Sequence, residues 1–249
     1  MADTFKDHFS SRAAQYAAFR PSYPPELADY LASLVPERST ALDCGCGTGQ
    51  LSALLATRFA RVIATDASAE QIANAKPHER ISYRQAPAEK SGLDDVSVDL
   101  VTVAQAAHWF DLHEFYAEVR RVLRPHAALV LITYGVIEAD GPVGEAVSRF
   151  YYEIIGPYWP PERQHVETGY RLLPFPFREE TAPRLAMRAT WSLDALLGYV
   201  DTWSAVRQAE KALGRKPVDD FAMALRAAWG EPALEREIRW PLNLRVGRV

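Results

Sequence analysis

The run Ala41-Leu42-Asp43-Cys44-Gly45-Cys46-Gly47-Thr48-Gly49-Gln50, followed by Arg61-Val62-Ile63-Ala64-Thr65-Asp66, restricts what this chain can fold into more than any other stretch. An apolar strand runs into three closely spaced glycines, a helix is expected from Thr48 to Phe59, and a second strand ends on an acid. Gly45, Gly47 and Gly49 permit a sharp turn and leave no side chain between the backbone and a ligand. The helix directs its free N–H groups at the same point. Asp66, leaving the second strand, is placed to accept hydrogen bonds from a ribose diol. Together these features predict a nucleoside-containing ligand at the edge of a parallel sheet.

Glycine spacing separates the candidate ligands. A dinucleotide fingerprint reads G-x-G-x-x-G, whereas here the glycines fall at 45, 47 and 49 and the residue two after Thr48 is Gln50. An NAD-dependent oxidoreductase is therefore the alternative and not the first reading. A zwitterionic amino-acid ligand also carries an ammonium, and Asp43 at the strand end could meet it. The D-x-G-x-G-x-G pattern with its downstream acid resembles motif I and the following acidic motif of class I S-adenosylmethionine-dependent methyltransferases. That resemblance implies S-adenosyl-L-methionine as cofactor, with Asp43, Cys44, Gly45, Cys46, Gly47, Gly49, Gln50, Asp66 and Ala67 around it.

Strand-like and helix-like segments then alternate, the pattern of a doubly wound parallel sheet. Strands are expected at 39–43, 61–66, 80–85, 97–104 and 127–134, with helices near 48–59, 68–75 and 111–123. Ser68 and Asp111 stand where N-caps belong, and the third helix is expected to stop at Arg124-Pro125. After Tyr134-Gly135 the alternation ends. A helix near 143–155 and a proline-rich aromatic stretch read as an insertion over the site, spanning 135–183. A strand near 184–191, helices near 192–201, 202–213 and 218–229, and a strand near 235–246 complete a seven-stranded, mostly parallel sheet with an antiparallel edge. The expectation is one α/β domain over 1–249: N-terminal cap helices at 1–35, a cofactor-binding core at 36–134, the inserted lid, and C-terminal strands and helices from 184.

The resemblance extends beyond the glycine turn. Gln85-Ala86-Pro87-Ala88-Glu89 is similar to the motif whose Ala-acid pair reads an adenine edge, which implies roles for Ala88 and Glu89. Gln105-Ala106-Ala107-His108-Trp109-Phe110-Asp111 resembles the Q-A-x-H-W-F-D segment of the type 11 branch and brings Gln105 to the cofactor. Phe9-Ser10-Ser11 to Tyr16 and Phe19-Arg20-Pro21-Ser22-Tyr23-Pro24 resemble the leader of small-molecule methyltransferases of the trans-aconitate and cantharidin type. Leu197-Gly198-Tyr199 and Thr202-Trp203-Ser204 resemble that group's lid helices.

What such an enzyme asks of its side chains is modest. A sulfonium donor is already activated, so catalysis is chiefly in-line positioning and exclusion of water. A carboxylate acceptor is ionised at neutral pH and attacks directly; a phenol, amine or thiol benefits from a base, and His108 is the candidate. The plainer reading has His108 orienting its loop or packing under Trp109. Arg20 with the hydroxyls of Tyr16 and Tyr23 suits recognition of a carboxylate, and Trp109 is a candidate pocket wall. The aromatic segment from Phe150 to Phe177 could select a flat acceptor or simply pack. His165, Glu167 and Tyr170 lie within it without metal-ligand spacing, and no metal is expected.

Composition limits the partners. The net charge is −4, which speaks against a duplex-sized phosphate footprint and for a small-molecule acceptor. Arginine outnumbers lysine 23 to 5, so a single arginine near a pocket says little. No apolar run approaches the roughly 20 residues of a membrane span, and the polar start Met1-Ala2-Asp3-Thr4-Phe5-Lys6-Asp7 does not read as a signal peptide; a cytoplasmic protein is expected. Cys44 and Cys46 fall inside the turn with no second Cys or His pair, and read as small turn residues. A cofactor-binding regulatory module without turnover is the non-enzyme alternative.

Overall fold

The computed structural model describes residues 21–249. Tyr16, Arg20 and most of the expected cap helices over 1–35 lie outside the described residues. Helix α1 (Pro25–Ser33) opens on Pro24-Pro25, where a missing N–H costs nothing at a first turn. Strand β1 (Thr40–Cys44) leads to α2 (Gln50–Leu55), β2 (Arg61–Asp66), α3 (Ala69–Ala73), β3 (Ile81–Gln85) and β4 (Val98–Ala104). A 3₁₀ turn (Ala107–Trp109) precedes α4 (Leu112–Val122) and β5 (Leu123–Tyr134). Ser68 caps α3 by accepting the Gln71 N–H, and Asp111 caps α4 by accepting those of His113 and Glu114, as expected.

The sheet runs β3-β2-β1-β4-β5-β8-β6, where β6 is Arg178–Glu180 and β8 is Arg236–Arg248; β7 (Leu185–Trp191) pairs with β8. Pairs among β1 to β5 are parallel, and β8 runs antiparallel to both β5 and β6. All seven expected strands are present, and the three-residue Arg-Glu-Glu strand β6 is an eighth. The central strands are buried almost throughout, which is why Ala127–Tyr134 reads as a nearly continuous apolar run and not as an alternation. Because β2 and β3 lie to one side of β1 and β4 to the other, the winding reverses between β1 and β4. In sheets of this kind ligands bind beyond the strands' carboxyl ends at such a reversal.

Several boundaries differ from expectation: the helix expected near 143–155 is Gly141–Arg149 with a π-type turn after it, and two others have a clear local cause. Helix α2 begins at Gln50 and not at Thr48, because Gly49 at its N-cap adopts a left-handed conformation with φ 85° that a helix cannot contain. Helix α4 stops at Val122, and β5 already includes Pro125 within an irregular stretch: Val98 pairs with Leu123, but Leu100 pairs with Ala128. Proline has no N–H to give the ladder, so it fits where the register shifts.

The described residues form two compact units. One comprises Ser22–Val136, Glu162–Met187 and Trp240–Val249; the other comprises Ile137–Pro161 and Arg188–Arg239. The segment expected as a single insertion over 135–183 is thus divided, and residues 162–187 belong with the cofactor-binding core. That segment includes helix α6 (Arg163–Glu167) and packs Tyr170, Leu173, Phe175 and Phe177 onto the core that also holds Phe115 and Val101. The second unit contains α5 (Gly141–Arg149), a π-type turn (Phe150–Ile154), α7 (Leu193–Asp201), α8 (Ser204–Leu213) and α9 (Lys216–Trp229). Its core is aromatic: Phe150 stacks on Phe221 at 4.1 Å between centroids, and Tyr151, Trp159 and Trp203 meet at 5.0 to 5.8 Å. Here Phe150, Tyr151 and Trp159 serve packing, while Tyr152 is exposed.

Candidate functional site

Four strand ends converge on the glycine turn. Gly45, Gly47 and Gly49 all have positive φ, at 65°, 56° and 85°, which an L side chain rarely adopts. Their surroundings differ. A Cβ on Gly45 would meet the Ala106 Cβ at 2.6 Å and the Phe110 ring at 3.2 Å, and one on Gly49 would meet the Tyr83 hydroxyl at 2.2 Å. Those two glycines make room for the protein's own side chains. A Cβ on Gly47 would make only an ordinary contact, with the Gln71 Oε1 at 3.7 Å, so of the three Gly47 is the one that leaves room for a close backbone approach. This narrows the expectation that all three would serve the ligand.

The turn is pinned to the end of β2. Cys46 donates its N–H to the Thr65 carbonyl at 3.0 Å, and Gly47 donates to Asp66 Oδ2 at 2.8 Å. The other Asp66 oxygen accepts the Ser68 N–H at 2.9 Å. The carboxylate is thereby fixed in orientation, while each of its oxygens keeps a further lone pair for a donor such as a hydroxyl. A ribose diol fits this arrangement, an oriented acid beside an open glycine. Gln50 is partly buried and Ala67 is exposed; the Ala67 carbonyl accepts from the Gln85 amide at 3.1 Å.

Asp43 departs from its expected role. The side chain is 1% exposed, and its two oxygens accept the hydroxyls of Ser52 at 2.6 Å and Thr102 at 3.0 Å. It lies beneath the turn, tying β1 to α2 and β4, and does not stand open to an ammonium. Burial pushes its carboxyl up to about 6, against the two hydroxyl hydrogen bonds. Burial also raises the thiols of Cys44 and Cys46 far above the ordinary range, with the charge of Asp43 adding to it, so neither is a nucleophile at neutral pH.

Ala88 is buried after β3, and Glu89 Oε1 accepts the Asp111 N–H at 2.8 Å, so the acid at 89 also secures the entry to α4. Gln105 follows β4 with φ 60°; its N–H reaches the Ile132 carbonyl at 2.9 Å and its amide lies 3.4 Å from the Tyr134 carbonyl. Its uncommon backbone conformation turns the chain from the β4 end into the segment carrying His108.

His108 stands on the 3₁₀ turn after β4, partly buried, with its ring 4.7 Å from that of Trp109, which is 51% exposed. Phe110 instead packs on Phe115 at 5.1 Å and belongs to the core. The His108 Nδ1 lies 2.9 Å from the Tyr170 hydroxyl. Burial holds the imidazole down at about 4, helped by the neighbouring His165 and Arg163 and opposed by Glu162. At neutral pH His108 is therefore uncharged. Tyr23 is buried, at 6% exposure.

Tyr170 is the residue that sequence reasoning passed over. It lies 62 positions from His108 on an irregular segment, and only its neighbour Gly169 hints at a special backbone. Gly169 and Tyr170 both have left-handed φ, 62° and 63°, a strain of about 1–3 kcal/mol for a bulky residue. The surroundings enforce it. The Tyr170 N–H donates to the His165 carbonyl at 2.7 Å, its carbonyl accepts from Arg245 at 2.7 Å, and a Cβ at Gly169 would strike Asn243 at 2.8 Å. Among the described residues no group of His, Cys, Asp and Glu is arranged to hold a metal ion, and no helix is long and apolar enough to cross a membrane.

A family model described as a methyltransferase domain matches residues 42–131. The chain is 38% identical over 218 residues to a Dictyostelium discoideum protein that bears a provisional methyltransferase name, covering 86% of this chain and 82% of that one. With an uncharacterized methyltransferase of Mycobacterium tuberculosis it shares 39% identity over 171 residues, 68% of this chain and 65% of that one. A solved structure from Anaeromyxobacter dehalogenans, provisionally named a type II methyltransferase, is 49% identical, with a TM-score of 0.89 over 92% of this chain and 97% of the other.

Proposed function

Because the chain belongs to the class I S-adenosylmethionine-dependent methyltransferases, we propose that it methylates a small-molecule acceptor, and most concretely a carboxylate oxygen. Family membership sets aside the NAD-dependent alternative that the glycine spacing already disfavoured. When bound, S-adenosylmethionine supplies a methyl group on sulfonium that needs no further activation. In this reading Gly47 and Asp66 take the nucleoside, Ala88 and Glu89 border the base, and Gln105 shapes the loop after β4. Gly45, Gly49, Cys44, Cys46 and Asp43 hold the turn in shape from below, with Gln50 and Ala67 at its margins.

The acceptor class is carried by one observation: His108 is neutral, held at about 4, and already hydrogen-bonded to Tyr170. A general base works best with a pKa near the operating pH, and His108 lies well below it. A carboxylate needs no such base, being ionised above roughly pH 5. Trp109 and Tyr23, with Arg20 and Tyr16 of the leader, are the proposed acceptor contacts, as in the trans-aconitate and cantharidin group that the leader resembles. A cytoplasmic location and a small-molecule partner, with no nucleic acid, complete the proposal; the net charge of −4 supports the last point.

Single-turnover transfer from methyl-labelled S-adenosylmethionine to a panel of small carboxylic acids tests it between pH 6 and 9. The expected rate is nearly flat, and His108→Gln retains it within about tenfold. A steep rise with pH that His108→Gln abolishes, a loss of about 10²-fold or more, overturns the carboxylate assignment.

A further inference from the structure

We propose that Tyr170 is a positioning residue that fixes His108 in its Nε2–H form, so that His108 meets the methyl acceptor as a hydrogen-bond donor. The fixing of the ring stands on geometry alone; its use toward the acceptor rests on the function proposed above.

A neutral imidazole carries one proton, on Nδ1 or on Nε2, and the partner of one nitrogen decides the state of the other. Here the partner of Nδ1 is a phenol at 2.9 Å. A phenol can donate once and accept through its oxygen. Tyr170 is fully buried, and Nδ1 is the acceptor its hydroxyl reaches among the described residues, so a phenolic hydrogen aimed elsewhere would be buried unpaired. The phenolic hydrogen is left to point at Nδ1. Nδ1 thus accepts, and the ring's proton sits on Nε2. A nitrogen already carrying a proton cannot remove one from a substrate, but it can hold a carboxylate oxygen while the second oxygen reacts.

The placement of Tyr170 agrees with such a task. The side chain is 0% exposed, its backbone is held in a left-handed conformation, and contacts to both its N–H and its carbonyl keep it there. Arg245 supplies the carbonyl contact while gripping Glu179 with two bonds of 3.1 and 3.0 Å. A backbone strained in this way persists only where its surroundings over-determine it, and here what it delivers is one hydroxyl to one imidazole nitrogen. The titratable and charged groups that act on the ring from the neighbouring segment are His165, Arg163 and Glu162, and the first two disfavour a second proton on it.

The experiment is nitrogen NMR of the full chain labelled at histidine, with the His108 signals assigned by their loss in His108→Gln. In the wild-type protein at pH 7 the expected result is an unprotonated Nδ1 and a protonated Nε2. Tyr170→Phe keeps the ring's volume and removes the hydroxyl, and its His108 signals are expected to move to an average of both tautomers. A wild-type ring with its proton on Nδ1, or a doubly protonated ring at pH 7, overturns the proposal. So does an Nε2–H form that persists unchanged in Tyr170→Phe. None of these readings needs cofactor, acceptor or turnover, so a failure here is distinct from a failure of the proposed methylation.

Discussion

Asp43 and His108 respond to acid in opposite directions. Asp43 has a folded pKa of about 6 against an ordinary 3.8, so the folded state binds a proton that the unfolded chain does not. Its contribution is present below about pH 4 and is lost as pH rises through 6. His108, at about 4 against an ordinary 6.5, does the reverse: between those values the unfolded chain takes up a proton that the folded ring refuses, and stability falls as pH drops. Each amounts to about 3 kcal/mol at most, and over pH 4–6 they nearly cancel. Separating them by substitution is the test. In denaturant titrations from pH 4 to 7, Asp43→Asn is expected to lose stability toward acid more steeply than wild type, whereas His108→Gln gains stability toward acid. Parallel curves for the three proteins would show that neither group is perturbed.

At the scale of elements, the three glycines of the turn separate into two kinds of requirement. Any L residue at these positions carries about 1–2 kcal/mol of left-handed strain. Gly49→Ala adds a collision with Tyr83, which is itself anchored on β3 opposite Ala64. Gly47→Ala adds none, but puts a methyl group on the open face. Thermal melts and calorimetric titration with S-adenosylhomocysteine should therefore diverge. Gly49→Ala is expected to melt lower than Gly47→Ala, and Gly47→Ala is expected to lose at least tenfold in affinity at a nearly intact melting temperature. The glycine pattern made the turn legible in the sequence, and strand β2 was expected over its observed residues, 61–66. The division of labour among the glycines was not legible, because it depends on Ala106, Phe110 and Tyr83 arriving from other strands. The split at Pro161 escaped for a similar reason: two aromatic-rich stretches of like composition join different cores. Strand β6 was missed because Arg-Glu-Glu has no strand-like composition and pairs only through β8.

For the whole molecule, a ligand that binds only the folded chain shifts unfolding by mass action. S-adenosylhomocysteine at roughly 100 times its dissociation constant should add about 2.7 kcal/mol of stability. NADH at the same concentration is expected to add nothing, since the turn lacks the third glycine of a dinucleotide fold. Equal stabilisation by NADH in a thermal melt would contradict the cofactor assignment. This much follows from a local motif. The pairing of His108 with Tyr170 does not, since it depends on a backbone conformation that only the assembled sheet imposes.

The hydrogen bonds of Arg245 also set a timetable for synthesis. The glycine turn and its partners on β2 and β3 are all made once residue 85 has left the ribosome. The carbonyl of Tyr170 must wait for a guanidinium 75 residues further along the chain. At about 5–20 residues per second, some ten to thirty seconds separate the two events. A nascent chain therefore carries the residues of its glycine turn well before it carries the arginine that secures Tyr170.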